Sequence, residues 1–165
     1  MRFLLLLLAM FQIGCIKHSD FEVDGVAFVF EPDRPDLKTE EMRERLHYVL
    51  EAGMGYWDTS IHSLRTYYVV IYTEPSKLRH CWPGGICHNG LDGWFDWSAS
   101  SIGLRMVEDC PESIHLIHEL GHEHYWGWWG VPDFGDMGHS HSRWHGADKL
   151  MVEYQQLCWA RQQGN

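Results

Sequence analysis

Positive charge is scarce in this chain: 13 Lys and Arg stand against 23 Asp and Glu, a formal net charge of -10. That deficit disfavours a polyanionic partner, so no nucleic acid is expected among its ligands. The leading apolar run, Phe3 to Ile13, falls short of the roughly 20 residues that a permanent membrane helix needs. Internal repeats and low-complexity tracts are also missing, which argues against a solenoid or a biased, unstructured chain. What is there is 45% hydrophobic and 22% charged over 165 residues. That is enough for one compact domain with its own core and too little for two.

The first residues, MRFLLLLLAMFQIGC, place one Arg before the apolar run and Gly14-Cys15 after it, the layout of a secretory signal. Residues 1–15 are therefore expected to be a leader and 16–165 the folded domain. Gly14-Cys15 resembles the bacterial lipoprotein cleavage site, where the Cys becomes a lipidated first residue, although Gln12 stands where Leu is usual. Two destinations stay open: a lipid anchor on Cys15 in the cell envelope, or plain secretion. The membrane enters as a partner only through that anchor.

Cysteine usage agrees with export. With Cys15 set aside, Cys81, Cys87, Cys110 and Cys158 form an even set, as expected of disulfides in an oxidising compartment. A Pro83-Gly84-Gly85 turn can bring Cys81 to Cys87, which leaves Cys110 for Cys158, while the count itself leaves all three pairings open. A rival reading makes His80, Cys81, Cys87 and His88 a metal site. Adjacent residues on a strand point to opposite faces, so such pairs converge poorly.

Periodicity predicts an α+β domain, a small mixed sheet packed on helices. Val26 to Phe30 reads as a strand closed by a Pro-rich turn, and Met42, Leu46, Val49 and Leu50 recur at helical spacing between Thr39 and Met54, with Gly53 and Gly55 as stops. Thr66 to Glu74 reads as a central strand, and Ser76 to Ser98 as a long loop whose Trp82, Trp94 and Trp97 line a surface or anchor the loop. Ser101 to Val107 alternates like a strand with one wet face, suited to an edge. A helix capped at Asp109 or Cys110 follows, with Pro111 at its first position, and a last helix runs from about Ala147 to Arg161.

The helix after Pro111 carries His118-Glu119-Leu120-Gly121-His122. Residues four apart lie about 40° apart around a helix, so both imidazoles can reach one metal ion, while Glu119 is turned about 100° and can reach a water beside that ion. With 12 His in the chain, chance alone produces this five-residue pattern roughly 6% of the time. Its place inside a helix, after a strand, in an exported chain lowers those odds of accident.

On the HELGH motif the chain resembles the zincin zinc metallopeptidases. In that clan a strand, a helix, further strands and an edge strand precede the active-site helix, the order read here from Val26 to His122. The resemblance implies a Zn2+ cofactor, a peptide or protein substrate, and Glu119 as general base. Trp128 and Tyr125 stand where the metzincin subgroup has its third His and a Gly, so that subgroup is not matched, and no clear gluzincin pattern replaces it.

A catalytic zinc takes three protein ligands and keeps a position for water. GVPDFGDMGHSHSRWHG offers the third: His139 leads the cluster, with His141 and Asp136 as alternatives, and Glu153 of the last helix is a gluzincin-like fourth choice. Asp136 can also orient an imidazole, Arg143 can steady charge on a substrate oxygen, and His115 lies on the same helical face as the motif. The expected function is thus an exported zinc metalloendopeptidase with His118, His122 and His139 as ligands. The competing expectations are a lipoprotein that binds metal without turnover and an aromatic-rich module that binds a glycan or protein.

Overall fold

The computed structural model describes residues 19–60, 63–64, 66–73, 78–82, 85–111, 115–129, 139 and 142–164. The apolar leader with Cys15 lies outside them, as do Asp136, His141 and the first turn expected after Pro111.

The domain is mixed α+β. Its strands are β1 (Phe21–Val23), β2 (Val26–Glu31), β3 (Tyr68–Tyr72), β4 (Leu78–Trp82), β5 (Ile86–Leu91), β6 (Gly93–Asp96) and β7 (Ser101–Arg105), and its helices are α1 (Glu40–Trp57), α2 (Leu116–Trp129) and α3 (Ser142–Gln162). The main sheet runs β1-β2-β3-β7-β6, while β4 and β5 form a separate hairpin. β2, β3 and β7 are parallel, and the outer strands β1 and β6 are antiparallel to their neighbours. No helix among the described residues is long and apolar enough to cross a membrane.

Strand register sets the core. Side chains alternate across a strand, so directly paired residues form rows on one face. One row is Phe28, Val69, Ile102 and Phe95; the next is Phe30, Ile71, Leu104 and finally Gly93. These side chains join one buried cluster with Leu46 and Val49 of α1, Ile117 of α2 and Trp144 of α3. Each such large apolar side chain contributes about 1.5–3 kcal/mol by leaving water.

Thr39 caps α1 through its side chain, which accepts from Met42 N at 3.2 Å. The helix does not stop at Gly53 or Gly55 but runs on to Trp57 and ends at Asp58, which adopts the left-handed conformation. Gly53 serves approach instead: a Cβ there would meet Leu120 Cδ1 at 2.7 Å and the Ile117 Cα at 3.4 Å, so its absence lets α1 settle against α2.

Three further expectations are corrected. Residues 76–98 hold β4, β5 and β6 rather than one long loop. β7 is not an edge, because β6 pairs along its outer side, and its second face is covered by Trp94 lying on Gly103. α3 begins five residues earlier than expected, at Ser142 rather than Ala147, and Leu157, expected on its core face, is exposed.

Both expected disulfides are present: Cys81 to Cys87 across the hairpin and Cys110 to Cys158 between the end of the sheet and α3. The first forecloses a metal site built on those two cysteines.

Candidate metal centre

α2 projects His118 and His122 to the same side, with ring centroids 5.1 Å apart. His139, on the segment between α2 and α3, comes to 4.9 Å from His118 and 5.0 Å from His122. One nitrogen from each of the three lies within 4.8 Å of the others. Trp144, at the start of α3, packs against all three rings at 4.8, 4.9 and 4.4 Å and forms the apolar wall behind them.

His118 shows how the centre is oriented. Its Nδ1 lies 3.3 Å from Asp148 Oδ1, and its Nε2 lies 3.0 Å from His139 Nε2. A proton on Nδ1 for the carboxylate leaves the Nε2 lone pair facing the cluster. Burial, followed by the neighbouring His122 and His139, pushes the His118 pKa down to about 4 against the opposing pull of Asp148. It is therefore neutral near pH 7, as a metal ligand must be.

The three imidazoles could hold a metal ion, and one pair of their nitrogens has the spacing of a tetrahedral site. Ligand nitrogens about 2.0–2.1 Å from zinc stand about 3.3 Å apart, close to the 3.0 Å between His118 and His139 Nε2.

Glu119 is turned the other way round α2, toward the sheet, and is only 4% exposed. A Cβ on Gly93 would sit 2.5 Å from its Oε1, so the carboxylate occupies the place where the Phe30, Ile71, Leu104 row lacks a side chain. Burial raises its pKa to about 8, so with no cation beside it the carboxyl is mostly protonated near pH 7; the charge of a bound ion would favour the carboxylate that a general base must be.

The neighbours of the motif are structural. Glu123 is buried and accepts from Thr66 N at 3.1 Å and Thr66 Oγ1 at 2.5 Å, tying α2 to the approach of β3. His124 lies 3.3 Å from Thr59 Oγ1 and beside Trp57; burial, then the charge of Arg143, lowers its pKa. Trp57 donates its indole N–H to Ile117 O at 2.6 Å, fixing α1 to the turn that carries His118.

Other candidates do not reach the cluster. Glu153 is 55% exposed beside Lys149 at 3.9 Å. Arg143 faces the end of α1, donating to Tyr56 O at 2.6 Å and pairing with Asp58 at 3.2 Å. His115 stands a turn away, 6.3 Å from the His118 ring. Asp148, Trp144 and Gly93 were not expected. The i, i+4 spacing of Trp144 and Asp148 next to a histidine cluster was the one available signal.

No protein-family model, curated protein or solved structure matches the chain. What the centre does must be read from its own residues.

Proposed function

We propose that this is a zinc-dependent peptidase in which His118, His122 and His139 hold the ion and Glu119 is the general base. One observation carries the reading: three imidazole nitrogens within 4.8 Å of one another, with a buried carboxylate on the residue after the first of them. Zinc in such a site lowers the pKa of water and polarises a carbonyl oxygen. The chain's own groups do the rest. Trp144 keeps the ligands in an apolar wall, Asp148 holds the His118 tautomer, and Glu119 receives a proton and returns it to the leaving amine.

The zincin resemblance gains support from element order. In chain order β2, α1, β3 and further strands precede the motif helix, as that clan implies, although the outer strand is β6 and the internal β7 stands between it and α2. The two disulfides suit an oxidising compartment, in keeping with export.

The test combines metal analysis with hydrolysis of a peptide library, with and without chelator. Glu119→Gln is expected to keep one zinc per chain and lose at least 1,000-fold in turnover, on the order of a general base's contribution. His139→Ala is expected to lose zinc as fully as His122→Ala, while Glu153→Ala keeps it. More than one zinc per wild-type chain without hydrolysis would favour metal storage instead.

A further inference from the structure

β6 is the outer strand beside the Glu119 carboxylate, and its outward hydrogen-bonding groups can be named. In an antiparallel pair, alternate residues turn both peptide groups toward the partner or away from it. Arg105 N donates to Asp92 O at 2.9 Å in the same register that pairs Trp94 with Gly103 and Asp96 with Ser101. Asp92, Trp94 and Asp96 therefore face β7, and Gly93 and Phe95 turn their N–H and C=O outward. A peptide added antiparallel to this edge would exchange one pair of hydrogen bonds with Gly93 and the next with Phe95.

The second place is taken. Trp82 of β4 donates its indole N–H to Phe95 O at 2.8 Å. The hairpin that carries it is anchored rather than hinged. His80 stacks on Trp94 at 3.9 Å with ring planes 12° apart, meets Trp82 edge-on at 4.6 Å, and places Nε2 3.0 Å from Asp96 Oδ2. Asp96 is itself buried and accepts from Ser98 N at 2.9 Å, Ser98 Oγ at 2.6 Å and Ala99 N at 3.3 Å. The Cys81–Cys87 disulfide ties β4 to β5 next to Trp82.

We infer that this stapled hairpin closes the substrate groove, so that the chain removes fragments of one or two residues from the N-termini of peptides. The inference rests on the peptidase reading and adds to it where the substrate ends. A strand antiparallel to β6 runs with its N-terminal residues toward Phe95. Phe95 lies two strand residues, about 7 Å, beyond Gly93, so a substrate residue opposite Gly93, beside Glu119, has room for one more residue before the place that Trp82 takes. The reaction is hydrolysis: the oxygen of water bonds to the scissile carbonyl carbon, the C–N bond breaks, and the proton taken by Glu119 ends on the new amine. Neither an oxidant nor a reductant is required.

The test uses the zinc-loaded protein and a set of peptides read by mass spectrometry, together with binding of an N-terminally lengthened peptide ladder to Glu119→Gln. Wild type is expected to release one or two residues at a time. Affinity should stop rising once about two residues lie N-terminal to the position of the cut. Trp82→Ala is expected to cut at least 10-fold faster at internal bonds. Trp82→Phe, which keeps a smaller ring against His80 and removes the N–H, should shift the products the same way to a smaller extent. Internal cutting by the wild type, or identical products from all three proteins, overturns the inference and leaves the peptidase reading intact. Absence of hydrolysis of every peptide by zinc-loaded wild type overturns both.

Discussion

His118 is the residue on which the centre turns. It touches the other two imidazoles on one side and Asp148 on the other, and only a proton fixed on Nδ1 makes its Nε2 a ligand. Asp148→Asn is expected to weaken zinc binding about 10-fold, the lower end for such a partner, because the carboxylate is 54% exposed and its contact is long. Competition with a chromophoric chelator measures this, and unchanged affinity would remove Asp148 from the centre. At this scale the sequence was informative within α2, where spacing along one helix decides which residues share a side. Across the gap to α3 it offered His139 among alternatives that spacing could not separate, and it gave no sign that Asp148 would meet His118. Arg143 illustrates the limit: chemistry made it a candidate for steadying substrate charge, but Tyr56 and Asp58 at the end of α1 claim it.

Among the elements, two glycines of α1 looked alike in sequence and differ in the fold. Gly53 faces Leu120 and Ile117, whereas a Cβ on Gly55 would meet nothing within 4 Å. Gly55→Ala is expected to stabilise the domain by about 0.5–1 kcal/mol through helix propensity. Gly53→Ala should destabilise it by about 1 kcal/mol net, since overpacking at about 1–3 kcal/mol outweighs the same propensity gain. Chemical denaturation reads both signs. β7 offers a related lesson: its alternation of Ile102 and Leu104 with Gly103 reports on faces, and a strand's faces say nothing of its neighbours. The hairpin escaped notice because its Gly and Asn residues are poor strand formers, held here by a disulfide and by its docking on Asp96. Burial alone would raise the Asp96 pKa, but the hydrogen bonds from Ser98, His80 and Ala99 hold it below its ordinary value. Its contribution is therefore fully present above the unfolded pKa near 4 and is lost as pH falls through the lower folded value. Asp96→Asn should cost about 2 kcal/mol at pH 7 and much less near pH 2; a pH-independent difference in denaturation midpoint would contradict this.

For the molecule as a whole, fold class was legible from periodicity, whereas the even cysteine count announced two disulfides without fixing their pairing, for which the Pro83-Gly84-Gly85 turn was the single local hint. The sheet order was not legible, since nothing local states that β6 returns outside β7. Cys110–Cys158 spans 48 residues of sequence, including all of α2 and His139, and so ties the front of the motif helix to the end of α3. Replacing both cysteines with Ser is expected to cost about 3 kcal/mol and lower Tm by about 10 °C. A calorimetric scan of the oxidised protein and the double variant compares them directly.

Gly93 sets a conflict between cohesion and reactivity. The smallest addition at the end of the Phe30, Ile71, Leu104 row would extend the hydrophobic layer and expel the Glu119 carboxylate from its niche. Selection of this chain for heat resistance alone would be drawn toward filling that position, and on the proposed reading the more durable descendants would have lost their base.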